Sequence, residues 1–141
     1  MINLKGSSSN KLLVTGHRGL IGRHIIPILN SQGFSIKGLD LIDQSGDICN
    51  NSDIYRAIEG CSGIIHLAAI SRVVWGEQNP TKCWQTNAVA SEQLLKVALE
   101  SMAKPWVIMT SSREVYGEPS SSPVSEDSPL LPVNIYGEAK L

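Results

Sequence analysis

The sequence predicts an α/β fold, a doubly wound parallel sheet covered by helices on both faces. Three observations carry the expectation. Short apolar runs alternate with stretches of helical periodicity, a glycine triplet stands where the first run gives way to the first helix, and an aspartate closes the second run. Lys11 to Thr15 (KLLVT) is apolar and closed by Gly16, as suits a buried parallel strand. Gly19 to Ser31 follows with Leu20, Ile21, Ile25, Ile26, Ile28 and Leu29 at helical intervals; Gly33 is its C-terminal stop and Pro27 is expected to kink it. Phe34 to Leu39 is the second strand and ends at Asp40; Asp53 to Glu59 is a short helix; Gly63 to Ala68 (GIIHLA) is another buried strand. Pro80 stands where a helix begins, and Thr81 to Met102 carries a long helical pattern before the strand Trp106 to Thr110. Glu118 to Val133, rich in Pro and Ser, predicts a surface loop of a length that is usually functional. Such alternation implies right-handed crossovers between parallel strands.

Composition narrows the class. A chain of 141 residues with 42% hydrophobic content supports one core. Twelve Lys and Arg against 13 Asp and Glu leave a formal charge of -1, which supplies no footprint for nucleic acid or an anionic membrane. Any ligand must therefore be held by local geometry. Cys49, Cys61 and Cys83 are odd in number and lack CxxC spacing, so neither a disulfide framework nor a zinc site is suggested, and reduced, mostly buried thiols in a cytoplasmic protein are expected. Residues 1–10 are polar, with no apolar stretch for a signal peptide or a membrane span, and are expected to form a flexible leader to a domain of residues 11–141.

The glycine triplet carries the first chemistry. In Thr15-Gly16-His17-Arg18-Gly19-Leu20-Ile21-Gly22 the glycines lie between a strand and a helix. A tight turn there needs positive φ, the backbone must approach a pyrophosphate closely, and the helix N-terminus then faces the phosphates. Asp40, 24 residues after Gly16, stands where an acid accepts hydrogen bonds from an adenosine ribose. The spacing is GxxGxxG rather than the more familiar GxGxxG, and a mere turn or a solvated loop acid are the bland alternatives. Together these features predict a Rossmann-type dinucleotide-binding domain.

Thr15 to Gly22, His66-Leu67-Ala68-Ala69, Asn87, Ser111 to Gly117 (SSREVYG) and Tyr136 to Lys140 (YGEAK), in this order, resemble the extended short-chain dehydrogenase/reductase family, which includes NAD-dependent sugar-nucleotide epimerases and dehydratases. The resemblance runs from about Lys11 to Leu141. It implies that Tyr136 is a general acid/base on a sugar hydroxyl or ketone. It also implies that Lys140 holds the nicotinamide ribose and, as an adjacent cation, favours the phenolate. At i and i+4 the two would share a helix face. Ser112 matches the serine or threonine that orients the same oxygen. Asp47 and Ile48 match an adenine-contacting pair after a short third strand, Leu67, Ala68, Ala69 and Ser71 fall where the cofactor is lined, and Asn87 is a buried amide with either a structural or a functional role.

Other residues divide the subclass. Glu114 stands where the dehydratases and decarboxylases of the family carry an acid, but Arg113 departs from their pattern, and a structural carboxylate paired with Arg113 is an equal alternative. An epimerase is therefore the leading expectation. His17-Arg18 resembles the glycine loop of GDP-fucose synthase, an NADP-using relative; Arg18 could pair with a 2′-phosphate, which Asp40 would repel, so NAD is expected ahead of NADP. His66, inside an apolar strand, reads as a hydrogen-bonded core histidine, and Trp75, Trp84 and Trp106 as packing residues. The resemblance implies a further, mostly C-terminal domain for a nucleotide-sugar substrate, which these residues do not supply. On that reading the chain either belongs to the enzyme as its cofactor half or is a cofactor-binding module without turnover. Tyr136 and Lys140, so near the last residue, are expected to fray, and a homodimer through the helix of Thr81 to Met102 and the one starting near Ile135 is in doubt for the same reason.

Overall fold

In a computed structural model, residues 10–119 and 122–141 are described, so the expected leader, apart from Asn10, and two serines of the Pro/Ser-rich loop lie outside the described residues. The chain divides into two compact units, residues up to 68 with 91–109, and residues 69–90 with 110–141.

The first unit is built on a parallel sheet. Its strands are β1 (Lys11–Thr15), β2 (Ser35–Leu39), β3 (Gly63–His66) and β4 (Trp106–Met109), in the order β2-β1-β3-β4. Leu13 lies opposite Lys37 on one side and Ile64 on the other, and Ile64 opposite Val107. Leu12, Leu13, Val14 and Thr15 are all buried, the continuous pattern of a strand covered on both faces. Ile54 and Ile58 of α2 (Asn51–Ile58) and Leu94, Val97 and Ala98 of α5 (Ala90–Glu100) complete this core. No strand lies between Leu39 and Asn51, where a short one was expected before Asp47; hydrogen-bonded turns occupy the segment instead.

Helix α1 (Leu20–Ser31) runs unbroken through Pro27. It ends as the glycine signal predicts: Gly33 has φ +86°, its N–H donates to Asn30 O (3.0 Å), and the Phe34 N–H donates to Leu29 O (3.1 Å), a paired closure that satisfies two end carbonyls. Because the chain places β2 on one side of β1 and β3 on the other, the strand order reverses between β1 and β3. In open α/β sheets the carboxyl ends of two such strands form the ligand crevice.

The second unit is helical and irregular. It holds α3 (Val73–Gln78), α4 (Pro80–Trp84), a π-helical turn (Gln85–Val89), a 3-10 turn (Arg113–Tyr116) and α6 (Ile135–Glu138). Pro80 opens α4 as the sequence suggests, with Asn79 Oδ1 accepting from the Lys82 N–H (3.1 Å). Helix α3 escapes the sequence reading because VVWGEQ has a β-branched pair, a central glycine and no apolar period. No helix or strand occurs among the described residues of 118–133. Trp75 and Trp84 are half-exposed rather than core residues, and the Arg72 guanidinium stands 5.0 Å over the Trp75 ring. Trp106, in contrast, packs its indole against Gly63, where no Cβ could fit.

Candidate functional site

At the carboxyl ends of β1 and β3, backbone meets backbone. Gly16 has φ +66°, and a Cβ there would fall 2.7 Å from the Ala68 nitrogen and 2.9 Å from the Leu67 carbonyl carbon. At Gly22 it would fall 2.5 Å from the His17 carbonyl oxygen. Two glycines of the triplet are thus demanded by the close approach of main chain to main chain. Gly19 precedes α1 without a side-chain cap, and the first turn of α1 holds no acid, an arrangement that favours an anion at that end.

A buried polar network pins the same strand ends. The Leu67 and Ala68 N–H groups donate to Thr15 Oγ1 (3.2 and 3.1 Å), which leaves the Thr15 hydroxyl to donate to His66 Nδ1 (2.6 Å) and His66 Nε2–H to donate to Ser91 Oγ (2.9 Å). His66 is a satisfied core histidine, as its apolar strand suggests.

Asp40 is fastened from two directions. The Arg18 N–H donates to its Oδ2 (2.8 Å) and the Ile42 N–H to its Oδ1 (2.9 Å), so the carboxylate joins the glycine loop to the segment after β2 while each oxygen keeps a lone pair. A second acid, Asp43, takes the side chains of that loop. His17 Nε2 donates to Asp43 Oδ2 at 2.7 Å, and Arg18 Nε lies 3.8 Å from the same oxygen. The Ser45 hydroxyl, donating to Asp43 Oδ1 at 2.7 Å, is the main influence holding the Asp43 carboxyl below its ordinary pKa. The His17 ring lies on Gly38, where no Cβ could fit, and its Nδ1 is buried with no hydrogen-bond partner among the described residues. Sequence reasoning missed Asp43; only a count of acids after the second strand could have drawn notice to it. Asp47 Oδ1 accepts from the Cys49 N–H (2.9 Å), and the Ile48 side chain is buried, so Ile48 has only its backbone to offer a ligand.

In the second unit, the acid/base candidates lie on short elements held by tertiary hydrogen bonds. Asn134 caps α6, its Oδ1 accepting from the Gly137 N–H (2.7 Å), while its Nδ2 donates to Glu114 Oε2 (2.9 Å); the Ile135 N–H donates to Glu77 Oε1 (3.0 Å). A Cβ at Gly137 would fall 2.6 Å from the Glu114 carbonyl oxygen. These contacts support a segment that its length alone would leave to fray. Helix α6 ends at Glu138 and the chain tightens behind it, the Lys140 N–H donating to Gly137 O (3.1 Å), three residues back. The Lys140 ammonium donates to Thr110 O (2.8 Å), and the Ser111 hydroxyl to Lys140 O (2.9 Å).

Ser112 Oγ accepts from the Glu114 N–H (3.2 Å), leaving its own O–H to donate elsewhere. Glu114 is occupied on both oxygens, by Arg113 Nε (3.2 Å) and Asn134. Asn87 is buried and grips Ile70 through both amide atoms, accepting from its N–H (2.8 Å) and donating to its C=O (3.0 Å), which fixes the turn that follows Ala69; Ser71 is exposed.

Burial pushes the Lys140 ammonium below its ordinary pKa. The folded chain therefore releases this proton at lower pH than the unfolded chain, and between the two values the unfolded state binds more protons, so stability rises with pH. Urea melts from about pH 8 to 10 should show a steeper rise for the natural chain than for Lys140→Met. Equal slopes would mean that the amine is not buried in its charged form.

No helix among the described residues is long and apolar enough to cross a membrane, and no group of three His, Cys, Asp or Glu among them is placed to hold a metal. Cys49, Cys61 and Cys83 form no disulfide with one another.

The strand order and the glycine turn at its reversal define a Rossmann-type nucleotide-binding fold. The chain belongs to the NAD dependent epimerase/dehydratase family, whose model matches residues 12–141. A UDP-glucose 4-epimerase from Halalkalibacterium halodurans is 32% identical over 92% of this chain and 43% of that protein. The crystal structure of a UDP-glucose 4-epimerase from Brucella ovis in complex with NAD is 29% identical, with a TM-score of 0.86 over 94% of this chain and 45% of that one. A short-chain dehydrogenase/reductase superfamily protein from Agrobacterium tumefaciens with bound NAD is 31% identical, with a TM-score of 0.81 over 92% of this chain and 42% of that one. The chain spans less than half the length of the curated relatives it matches.

Proposed function

We propose that this chain binds NAD and carries the acid/base residues of an enzyme that inverts a sugar carbon in a nucleotide sugar. The observation that carries the reading is the glycine turn at the reversal of strand order, with the Asp40 carboxylate held beside it by the Arg18 and Ile42 N–H groups. The residues fit the cofactor: glycine at Gly16 and Gly22 lets the loop fold tightly against Ala68 and His17 at the start of α1, the uncapped start of α1 at Gly19 to Ile21 favours the charge of a pyrophosphate, and the free lone pairs of Asp40 accept ribose hydroxyls. Leu67, Ala68, Ala69 and Ser71 line the cofactor, Asp47 and Ile48 meet the adenine, and Asn87 steadies the turn after Ala69.

NAD, when bound, supplies a reversible hydride acceptor. Tyr136 accepts the proton of the sugar hydroxyl as its carbon is oxidised and returns it when the carbon is reduced from the other face. Ser112, whose O–H is left to donate, orients that oxygen. Lys140 spends one N–H on Thr110 O and keeps two for ribose hydroxyls. Glu114, occupied by Arg113 and Asn134, is a positioning residue for α6 rather than the acid of a dehydratase.

The nucleotide-sugar partner rests on the named relatives, and a cytoplasmic setting on three cysteines that form no disulfide with one another. The exposed Trp84, Val89 and Leu99 support a homodimer contact through the segment from Thr81 to Met102. The test is calorimetric titration of the chain with NAD and NADP at one ionic strength, followed by an epimerisation assay with nucleotide sugars. Saturable binding with NAD tighter than NADP is expected. A folded chain that takes up neither would overturn the reading, and binding without turnover in any form of the protein would leave a cofactor-binding module.

A further inference from the structure

The two basic side chains of the glycine loop converge on a carboxylate that the sequence reading did not single out. His17 Nε2 lies 2.7 Å and Arg18 Nε 3.8 Å from Asp43 Oδ2, while the Asp40 carboxylate beside them is held by two main-chain N–H groups. We propose that Asp43 is a specificity-determining residue that sets the preference for a dinucleotide without a 2′-phosphate, by occupying the side chains that would otherwise receive one. The proposal rests on the dinucleotide-binding reading above and deepens it.

Discrimination between two ligands that share every other group needs a repulsive element as well as an attractive one. Asp40 supplies the first. Its oxygens are fixed by the Arg18 and Ile42 N–H groups, so its charge cannot swing away from an incoming phosphate. Arg18 would be the obvious compensation, because its main-chain N–H already touches Asp40 and its side chain is about half exposed at 47%. Asp43 weakens that compensation: Arg18 Nε already faces its Oδ2 at 3.8 Å, and two aspartates beside one arginine leave net negative charge where a phosphate dianion would enter. Asp43 is itself braced for the role. Its Oδ1 accepts from the Ser45 N–H (3.2 Å) and hydroxyl (2.7 Å), which aims Oδ2 at His17 and Arg18.

The experiment is a pair of titrations, NAD and NADP, on the natural chain, Asp43→Asn and Asp43→Asn/Arg18→Ala. Asparagine keeps an Oδ1 acceptor for Ser45, and its Nδ2 can donate to His17 Nε2 in the other imidazole tautomer, so the charge that faces Arg18 is lost while both side chains keep a polar neighbour. NADP should gain about tenfold in affinity relative to NAD in Asp43→Asn, which corresponds to about 1.4 kcal/mol. The gain should vanish in the double variant. Asp43→Ser, checked for folding by circular dichroism, should move the preference the same way and stands in if the asparagine variant does not fold. An unchanged NAD-to-NADP ratio in a variant that still binds NAD would overturn the proposal, as would a gain that survives loss of Arg18. Failure of the folded natural chain to bind NAD at all would instead remove the dinucleotide reading, and this inference with it.

Discussion

Replacing Tyr136 by phenylalanine is expected to lower turnover by about 10²–10⁴-fold, the usual contribution of a positioned acid/base group, with little loss of NAD affinity. The variant removes one oxygen and keeps the ring, so the structure around it has little reason to move. Tyr136 stands on α6, a four-residue helix that could not hold itself. Its cap from Asn134, the Glu77 carboxylate on the Ile135 N–H and the close contact of Gly137 with the Glu114 carbonyl hold it instead, and none of these uses the phenol. The measurement is kcat and KM with a nucleotide sugar in a form of the protein that turns over, alongside an NAD titration. A near-normal kcat would take Tyr136 out of its role, whereas equal losses of kcat and NAD binding would mean that the hydroxyl holds the cofactor rather than serving the chemical step.

Gly16→Ala carries the second large effect. Alanine at φ +66° costs about 1–2 kcal/mol in backbone strain alone. The added methyl would also stand 2.7 Å from the Ala68 nitrogen, and the atoms it meets are main-chain atoms at the end of β3, pinned by Thr15 and unable to turn aside. Displacing them adds about 1–3 kcal/mol, for a midpoint lower by roughly 5–15 °C. The uptake of NAD should be lost. Gly33→Ala is the matched control, since it has a similar positive φ of +86° but nothing within 4 Å of the new carbon; it should show the strain cost only and bind NAD normally. Equal behaviour of the two variants in both assays would mean that the close approach at Gly16 has no part in binding.

What was legible in the sequence was whatever a residue expresses through its immediate neighbours. KLLVT and GIIH are strands because a parallel strand buried on both faces needs a continuous apolar run. Gly16 and Gly33 mark turns because positive φ disfavours other residues, and Pro80 opens a helix because its missing N–H would have had no partner there. The α/β class, the four strands in their order along the chain and the glycine loop therefore follow from the sequence alone. Only the tertiary structure decided that Asp43 takes His17 and Arg18, that Glu114 serves Asn134, that Lys140 reaches Thr110 rather than continuing a helix, and that a four-residue helix near the last residue is held in place. Each of those outcomes joins residues about 20 to 60 positions apart, whose nearness is produced by folding around the sheet and leaves no period or spacing in the chain for local rules to detect.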